Sequence, residues 1–239
     1  MKQTITLLDD THVVFPPVHQ ALYQPDGLLA LGGNLEINTL LSAYRQGIFP
    51  WFSDDDPILW WSPAPRMVFE PGQLHRSRSL SKLIRKNPYN ITFDHDFQGV
   101  IRACAEPRNN SEGTWITADM QTAYINLHQA GHAHSVEVWD DDQLVGGIYG
   151  VAIGRIFFGE SMFSRKSNTS KLAITALSEQ LKVWQFALVD CQVHNPHLKS
   201  LGAKPISREE FLKTLDHYCS LPPSGAHWKQ DWQWIDHSL

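Results

Sequence analysis

Two acidic side chains stand where a stable buried strand would not place them. Glu160 lies inside Phe157-Phe158-Gly159-Glu160-Ser161-Met162-Phe163-Ser164, and Asp190 lies thirty residues on, in Val189-Asp190-Cys191-Gln192. Each run alternates apolar residues around one carboxylate, and a lone carboxylate costs too much in an apolar strand to be kept for stability alone. Taken singly, either acid is equally well explained by backbone donors or a nearby arginine at a strand end. Taken together, with the Gln192 amide two residues from Asp190, they read as a site. Side chains alternate along a strand, so a strand over residues 186–193 would turn Asp190 and Gln192 to one face.

Other chemistries fit the sequence less well. His128, His132 and His134 are close in sequence, but Gly131 should end a helix before His132 and spoil the one-face geometry of an i, i+4 ligand pair. They read as polar packing, and no metal is expected. The cysteines, Cys104, Cys191 and Cys219, are odd in number and widely spaced, so neither a disulfide framework nor a CxxC metal site is indicated. There is no G-x-S-x-G elbow, Walker loop or dinucleotide fingerprint.

The elements that must position the two acids follow from periodicity. Thr117 should cap a helix with Met120, Ala123, Tyr124 and Leu127 on its apolar face, ended by Gly131. A meander of three strands should follow over residues 134–139, 144–153 and 155–163, with turns at residues 140–142 and at Gly154. Next come a helix over residues 168–183, the strand carrying Asp190, and a last helix whose start, Ser207-Arg208-Glu209-Glu210, is a capping box. This α/β (α+β) order resembles the GNAT-type acyltransferase fold. Enzymes of that type that use acetyl-CoA hold its pyrophosphate on a glycine-rich turn. The corresponding turn here, Ser164-Arg165-Lys166-Ser167-Asn168-Thr169-Ser170-Lys171, contains no glycine, which argues for another acyl carrier.

The first sixty residues read as a small aromatic-rich module. Asn34 is a plausible cap for a helix with Ile37, Leu40, Leu41 and Tyr44 on one face, and Gly47 can end it. Trp51, Trp60 and Trp61 then fall in one proline-punctuated stretch, either a plug between domains or a wall for a ring-shaped ligand. A boundary is placed so that residues 1–62 form the small N-terminal domain and residues 63–239 the larger, catalytic one. Net charge is −5, and charged residues make up 19% of the chain against 42% hydrophobic, the balance of a globular protein. No window is long and apolar enough for a membrane span, and the first ten residues lack a secretory core, so a cytoplasmic chain is expected. One stretch is nonetheless basic. Residues 71–93 contain no acid, and a helix over residues 79–87 would bury Leu80, Leu83 and Ile84 and gather Arg78, Lys82, Arg85 and Lys86 opposite, with Arg76 just before. The pattern alone is an ordinary solvated face first and a phosphate-backbone grip second.

Several longer motifs in order carry a more specific likeness. They are Pro25-Asp26-Gly27-Leu28-Leu29-Ala30-Leu31-Gly32-Gly33, Gly47-Ile48-Phe49-Pro50-Trp51-Phe52, Trp60-Trp61-Ser62-Pro63, Gly113-Thr114-Trp115-Ile116-Thr117, Gly131-His132-Ala133-His134-Ser135, Gly159-Glu160-Ser161-Met162-Phe163-Ser164 and Asp190-Cys191-Gln192. In these the chain resembles the leucyl/phenylalanyl-tRNA–protein transferase family over nearly its whole length. The resemblance implies a GNAT-like domain behind a small N-terminal one and an acyl donor that is an aminoacyl-tRNA. It implies transfer of Leu or Phe, and weakly Met, to proteins with N-terminal Arg or Lys, marking them for degradation, with no cofactor. Trp51 and Trp115 would hold the 3′-terminal adenosine and aminoacyl group. Tyr124, Ile148, Phe157, Leu177 and Val189 would belong to the substrate site, and Arg76, Arg78, Lys82, Arg85 and Lys86 would meet the acceptor stem.

Catalysis would fall to Asp190, Gln192 and Glu160. A neutral amide has almost no basicity, so Gln192 is expected to orient the attacking amine while Asp190 fixes the amide. Asp190 and Glu160 would also attract the cationic side chain of the acceptor. A monomer is expected. Two competing readings are a CoA-dependent N-acetyltransferase, opposed by the glycine-free turn, and an RNA-binding module without catalysis, opposed by the paired acids.

Overall fold

The computed structural model describes residues 4–107, 114–223 and 225–234. Gly113, which opens one of the family motifs, lies outside the described residues. The first part of the chain comprises β1 (Thr6–Leu8), β2 (Leu28–Gly32), α1 (Ile37–Arg45), β3 (Phe49–Pro50) and β4 (Leu59–Trp61). Its strands form a four-stranded sheet in the order β1-β2-β4-β3. Asn34 does not cap α1 directly. Glu36 occupies the cap position, while the Asn34 carboxamide oxygen accepts from the Glu36 N–H at 3.0 Å and from the Thr39 hydroxyl at 2.7 Å. Gly47 leaves the helix at φ 74°, as its freedom from a Cβ allows.

The chain then changes sheets. It continues through β5 (Arg66–Phe69), α2 (Arg78–Lys86), β6 (Asn90–Phe93), α3 (Phe97–Ala105), α4 (Ala118–Gln129), β7 (Ala133–Asp140), β8 (Gln143–Ile153) and β9 (Ile156–Ser164). After these come α5 (Thr169–Val183), β10 (Leu188–Asp190), α6 (Pro196–Ser200), β11 (Lys204–Ile206), α7 (Arg208–Tyr218) and β12 (Gln230–Trp232). The eight strands run in the order β11-β5-β10-β9-β8-β7-β6-β12. The expected sequence of helix, three-strand meander, helix and strand is present as α4, β7 to β9, α5 and β10. All neighbours in this sheet are antiparallel except β9 and β10, which pair in parallel with Asp190 beside Phe158.

Both faces of the sheet are covered. Tyr149, Val151 and Ile153 of β8 join an apolar cluster with α3 and α4, while Ile148 joins a second cluster with Leu172, Ala173 and Leu177 of α5. The first cluster also takes in Tyr44, Phe49 and Trp60, so the small sheet packs into the same core as Tyr124 and Phe158. Ser77 caps α2 by accepting the Leu80 N–H, which starts the helix one residue earlier than the expected 79–87. Leu80 is buried, and Arg78, Lys82, Arg85 and Lys86 are exposed.

Candidate functional site

A break in strand pairing aims Glu160. Along β8 and β9, Tyr149 pairs with Ser161 but Gly150 pairs with Gly159, which leaves Glu160 as an extra residue opposite the Tyr149–Gly150 step. This is a β-bulge, and it reverses the phase of the strand. Before it Phe158 faces the cluster containing Tyr44 and Tyr124; beyond it Phe163, not Met162, returns to that cluster. Gly150 is required at this crossing, because an added Cβ would lie 2.2 Å from the Phe158 carbonyl oxygen.

Glu160 therefore meets two phenols. Tyr44 donates to its Oε1 at 2.7 Å and Tyr124 to its Oε2 at 3.0 Å, and the two hydroxyls also contact each other. The Gln192 side-chain N–H donates to Oε1 at 2.8 Å. Burial pushes the Glu160 carboxyl up to about 7, against the pull of the Tyr44, Tyr124 and Gln192 hydrogen bonds and helped by the nearby Asp190 charge. Burial, and then the Glu160 charge, push both phenols well above their ordinary range, so they act as donors.

Asp190 lies differently from the strand-based expectation. The strand ends at Asp190 rather than at residue 193, and Gln192 has φ 62°, so strand alternation does not relate the two side chains. Asp190 holds the Gln192 backbone N–H at 2.8 Å, not its side-chain amide. Its carboxylate is also gripped by Arg66, Nε to Oδ1 at 2.8 Å and Nη2 to Oδ2 at 2.7 Å, with both side chains almost wholly buried. Of the alternatives open for an acid in a strand, both are realised, a nearby arginine and a backbone donor. Asp190 is thus occupied and does not stand open to a cationic acceptor. Arg66 was missed although the signal was present: a lone cation heading the apolar run Arg66-Met67-Val68-Phe69 mirrors the lone anion of Val189-Asp190-Cys191. Periodicity places Tyr44 only on the apolar face of its helix, although a tyrosine in such a stripe carries a polar tip that seeks a partner.

Glu160, Asp190 and Gln192 border a cavity of about 710 Å³. Its polar lining includes Glu160, Asp190 and Gln192, and its aromatic lining Phe49, Trp51 and Trp115. Phe69, Ile148, Met162, Ile174 and Val189 supply apolar lining and belong to one packed cluster, so they form a contiguous recess. Phe157 and Leu177 do not line it; they pack in that cluster behind the wall, and Ile174, one turn earlier on α5, takes the place expected of Leu177. Tyr124 also stands behind the wall, reaching the site through Glu160. Trp51 is 45% exposed and its ring lies 5.6 Å from that of Trp61, whereas Trp60 is fully buried. Cys191 lines the cavity, but burial and the Asp190 charge push its thiol up, which removes it as a nucleophile.

The turn after β9 is filled by its own side chains. The Thr169 hydroxyl donates to the Val145 and Lys166 carbonyls and the Ser164 hydroxyl to the Lys166 carbonyl, while Arg165 pairs with Glu106 and lies over Phe163. Of the basic residues near α2, Arg76 is bound to Glu179 at 2.5 Å and so stands apart from the four exposed ones. His128, His134 and Asp94 come together, without His132. His134 Nδ1 lies 2.7 Å from Asp94 Oδ2, and His128 Nδ1 lies 2.8 Å from the Ala133 carbonyl oxygen. The two rings stack on Trp228 and Phe97, respectively, which makes the group part of the packing around β7.

Comparison with known proteins gives a consistent answer. Residues 68–216 match the family described as leucyl/phenylalanyl-tRNA protein transferase, and residues 33–64 match the N-terminal domain of that family. A protein of Pseudomonas fluorescens named leucyl/phenylalanyl-tRNA–protein transferase is 56% identical over 94% of this chain and 99% of its own length. Relatives of the same name from Nitrosospira multiformis and Pseudomonas aeruginosa are 55% and 54% identical, over 93% and 92% of this chain and 96% and 98% of their own lengths. Among solved structures, a GCN5-related N-acetyltransferase from Kribbella flavida aligns at 12% identity over 69% of this chain and 58% of that one, with a TM-score of 0.35. None of the helices is long and apolar enough to cross a membrane, among the described residues. The chain belongs to the leucyl/phenylalanyl-tRNA protein transferase family.

Proposed function

We propose that this chain moves Leu or Phe, and more weakly Met, from aminoacyl-tRNA to the α-amine of proteins that begin with Arg or Lys, giving them a destabilising N-terminus for degradation. The observation that carries the reading is the Gln192 amide, anchored by Glu160 at 2.8 Å, on a cavity whose other lining is largely apolar and aromatic. The recess of Phe69, Ile148, Met162, Ile174 and Val189 takes the aminoacyl side chain, and Trp51 and Trp115 take the terminal adenosine. Phe157 and Leu177 shape that recess from behind. Arg78, Lys82, Arg85 and Lys86 hold acceptor-stem phosphates, with Arg76 bracing the start of the helix through Glu179. The reading divides the chain into residues 1–62, which lend the indole wall, and residues 63–239, which carry the chemistry. It also makes the protein a monomer of the cytoplasm, where charged tRNA is held.

In the reaction the acceptor α-amine attacks the ester carbon of aminoacyl-tRNA, the bond to the ribose oxygen breaks, and that oxygen leaves with a proton. The ester is already activated, so orientation and proton handling are what the protein must supply, and the chemistry needs no cofactor. Gln192 spends its N–H on Glu160 and keeps its carbonyl oxygen to accept from the amine and aim the nitrogen lone pair. Among the described residues three carboxylates line the cavity, Glu106, Glu160 and Asp190, and Arg165 and Arg66 match the first and the last. Glu160 is left to attract the cationic acceptor. Its carboxyl at about 7 also suits it to take the amine proton near neutral pH.

The test is transfer of labelled Phe from Phe-tRNA to two peptides that differ only in Arg or Ala at the N-terminus. Transfer to the Arg peptide and not the Ala peptide is expected. Transfer to neither, with tRNA still bound, would return the chain to RNA binding alone. The recess makes a second prediction: Ile174→Phe should lower kcat/KM about tenfold more for Phe-tRNA than for Leu-tRNA, because added bulk in an apolar pocket discriminates by size. Paired kinetics with the two charged tRNAs check it.

A further inference from the structure

The chain bends at Gln192 where a strand would run on. The Val193 N–H donates to the Cys191 carbonyl at 2.8 Å across Gln192, whose φ is 62°. That is a γ-turn of the positive-φ kind, the rare and strained form. A non-glycine residue stays in such a conformation only where its surroundings over-determine it. Here the surroundings are a buried relay. The Gln192 N–H is held by Asp190 Oδ1, and the Asp190 carboxylate is held in turn by the two-pronged Arg66 grip. The guanidinium itself lies between the rings of Phe49 and Phe211, 4.8 Å from each centroid. Phe49 comes from the small sheet and Phe211 from α7, so two remote parts of the chain fix one side chain.

We propose that Arg66, through its fork on Asp190, is the positioning residue that keeps Gln192 in its γ-turn and so sets the reach of the Gln192 amide to Glu160. Arg66 is 1% exposed and does not line the cavity, so it acts through Asp190 and not on substrate. The assignment rests on the transferase reading above. It gives Asp190 a mechanical task, holding the Gln192 backbone and not its side-chain amide, and it connects the small N-terminal sheet to the chemistry through Phe49. A lysine cannot replace the fork, since one point charge cannot grip both carboxylate oxygens in a plane.

The test compares Arg66→Lys with the double variant Arg66→Met/Asp190→Asn, using single-turnover Phe transfer to an N-terminal Arg peptide. The double variant removes both buried charges together, which guards against a folding failure caused by leaving one unpaired. For both, the rate at saturating substrates should fall about 10- to 100-fold, as expected for a misplaced reacting group. The tRNA dependence should stay within about twofold and the double variant should melt near the wild type, a split between kcat and KM that a general loss of structure would not give. Wild-type transfer rates in a folded double variant would overturn the assignment, as would an equal loss of tRNA affinity and rate. Absence of transfer by the wild-type protein would instead overturn the transferase reading, and the role of Arg66 in it would fall too.

Discussion

Changing Arg78, Lys82, Arg85 and Lys86 together to alanine should remove most of the salt dependence of aminoacyl-tRNA binding while leaving the transfer rate at saturating tRNA nearly unchanged. All four are exposed on α2, whose Leu80 is buried and which packs against α5. If each neutralises one phosphate, raising salt from 50 to 200 mM should weaken wild-type binding by about 150-fold, from a slope of roughly −0.9 per contact. The quadruple variant should lose nearly all of that slope, and its KM at low salt should rise by about 100-fold or more. Arg76 belongs outside this set, because Glu179 already holds it. Its replacement should alter the anchoring of α2 and leave the slope almost intact. Titration of labelled tRNA at several salt concentrations gives both numbers. An unchanged slope in the quadruple variant would move the acceptor stem to another face. Contacts of this kind read no bases, so the same loss should be seen with tRNAs of different sequence.

Much of the fold was legible because periodicity reports it directly. Thr117, the apolar face of α4, the meander turns and the Ser207 cap all depend on side chains within a few residues of one another, and each lies where expected. The site was half legible. The chemistry-bearing types, Glu160, Asp190 and Gln192, were readable as lone polar groups in apolar runs, but their partners were not, because partnership joins residues remote in sequence. Arg66 reaches Asp190 across 124 positions and Tyr44 reaches Glu160 across 116. Two local irregularities mattered as much. The bulge at Glu160 and the γ-turn at Gln192 both break strand alternation, and a pattern of period two cannot announce its own interruption. Leu177 shows the same limit in a helix. Periodicity places it on the buried face of α5, but the cavity reaches only as far as Ile174, one turn away.

Replacing Glu160 with glutamine should produce a protein that is more stable at alkaline pH and far poorer as a catalyst. The reason is burial. It disfavours the ionised Glu160 carboxylate by more than the Tyr44, Tyr124 and Gln192 hydrogen bonds favour it, and the nearby Asp190 charge adds to the effect. Folding therefore favours the protonated form, with the carboxyl raised from 4.5 to about 7. An acid raised in the folded state contributes no penalty below its unfolded value; the penalty grows as pH rises through the window from 4.5 to 7 and is complete above it. The full shift corresponds to an upper figure of about 3 kcal/mol. A glutamine is uncharged at every pH and escapes that penalty, so Glu160→Gln should melt about 5 °C higher than the wild type at pH 8 and no higher at pH 4.5. Transfer should move the other way. The wild-type single-turnover rate should rise with pH to a plateau above about 7, as Glu160 becomes able to take the amine proton, and the glutamine variant should lose that rise and fall about 100-fold or more on the plateau. Melting curves and single-turnover rates over the same pH series test both halves at once. A variant that lost activity without gaining alkaline stability would mean that Glu160 is ionised in the folded protein at no cost, and burial would not be what sets its protonation.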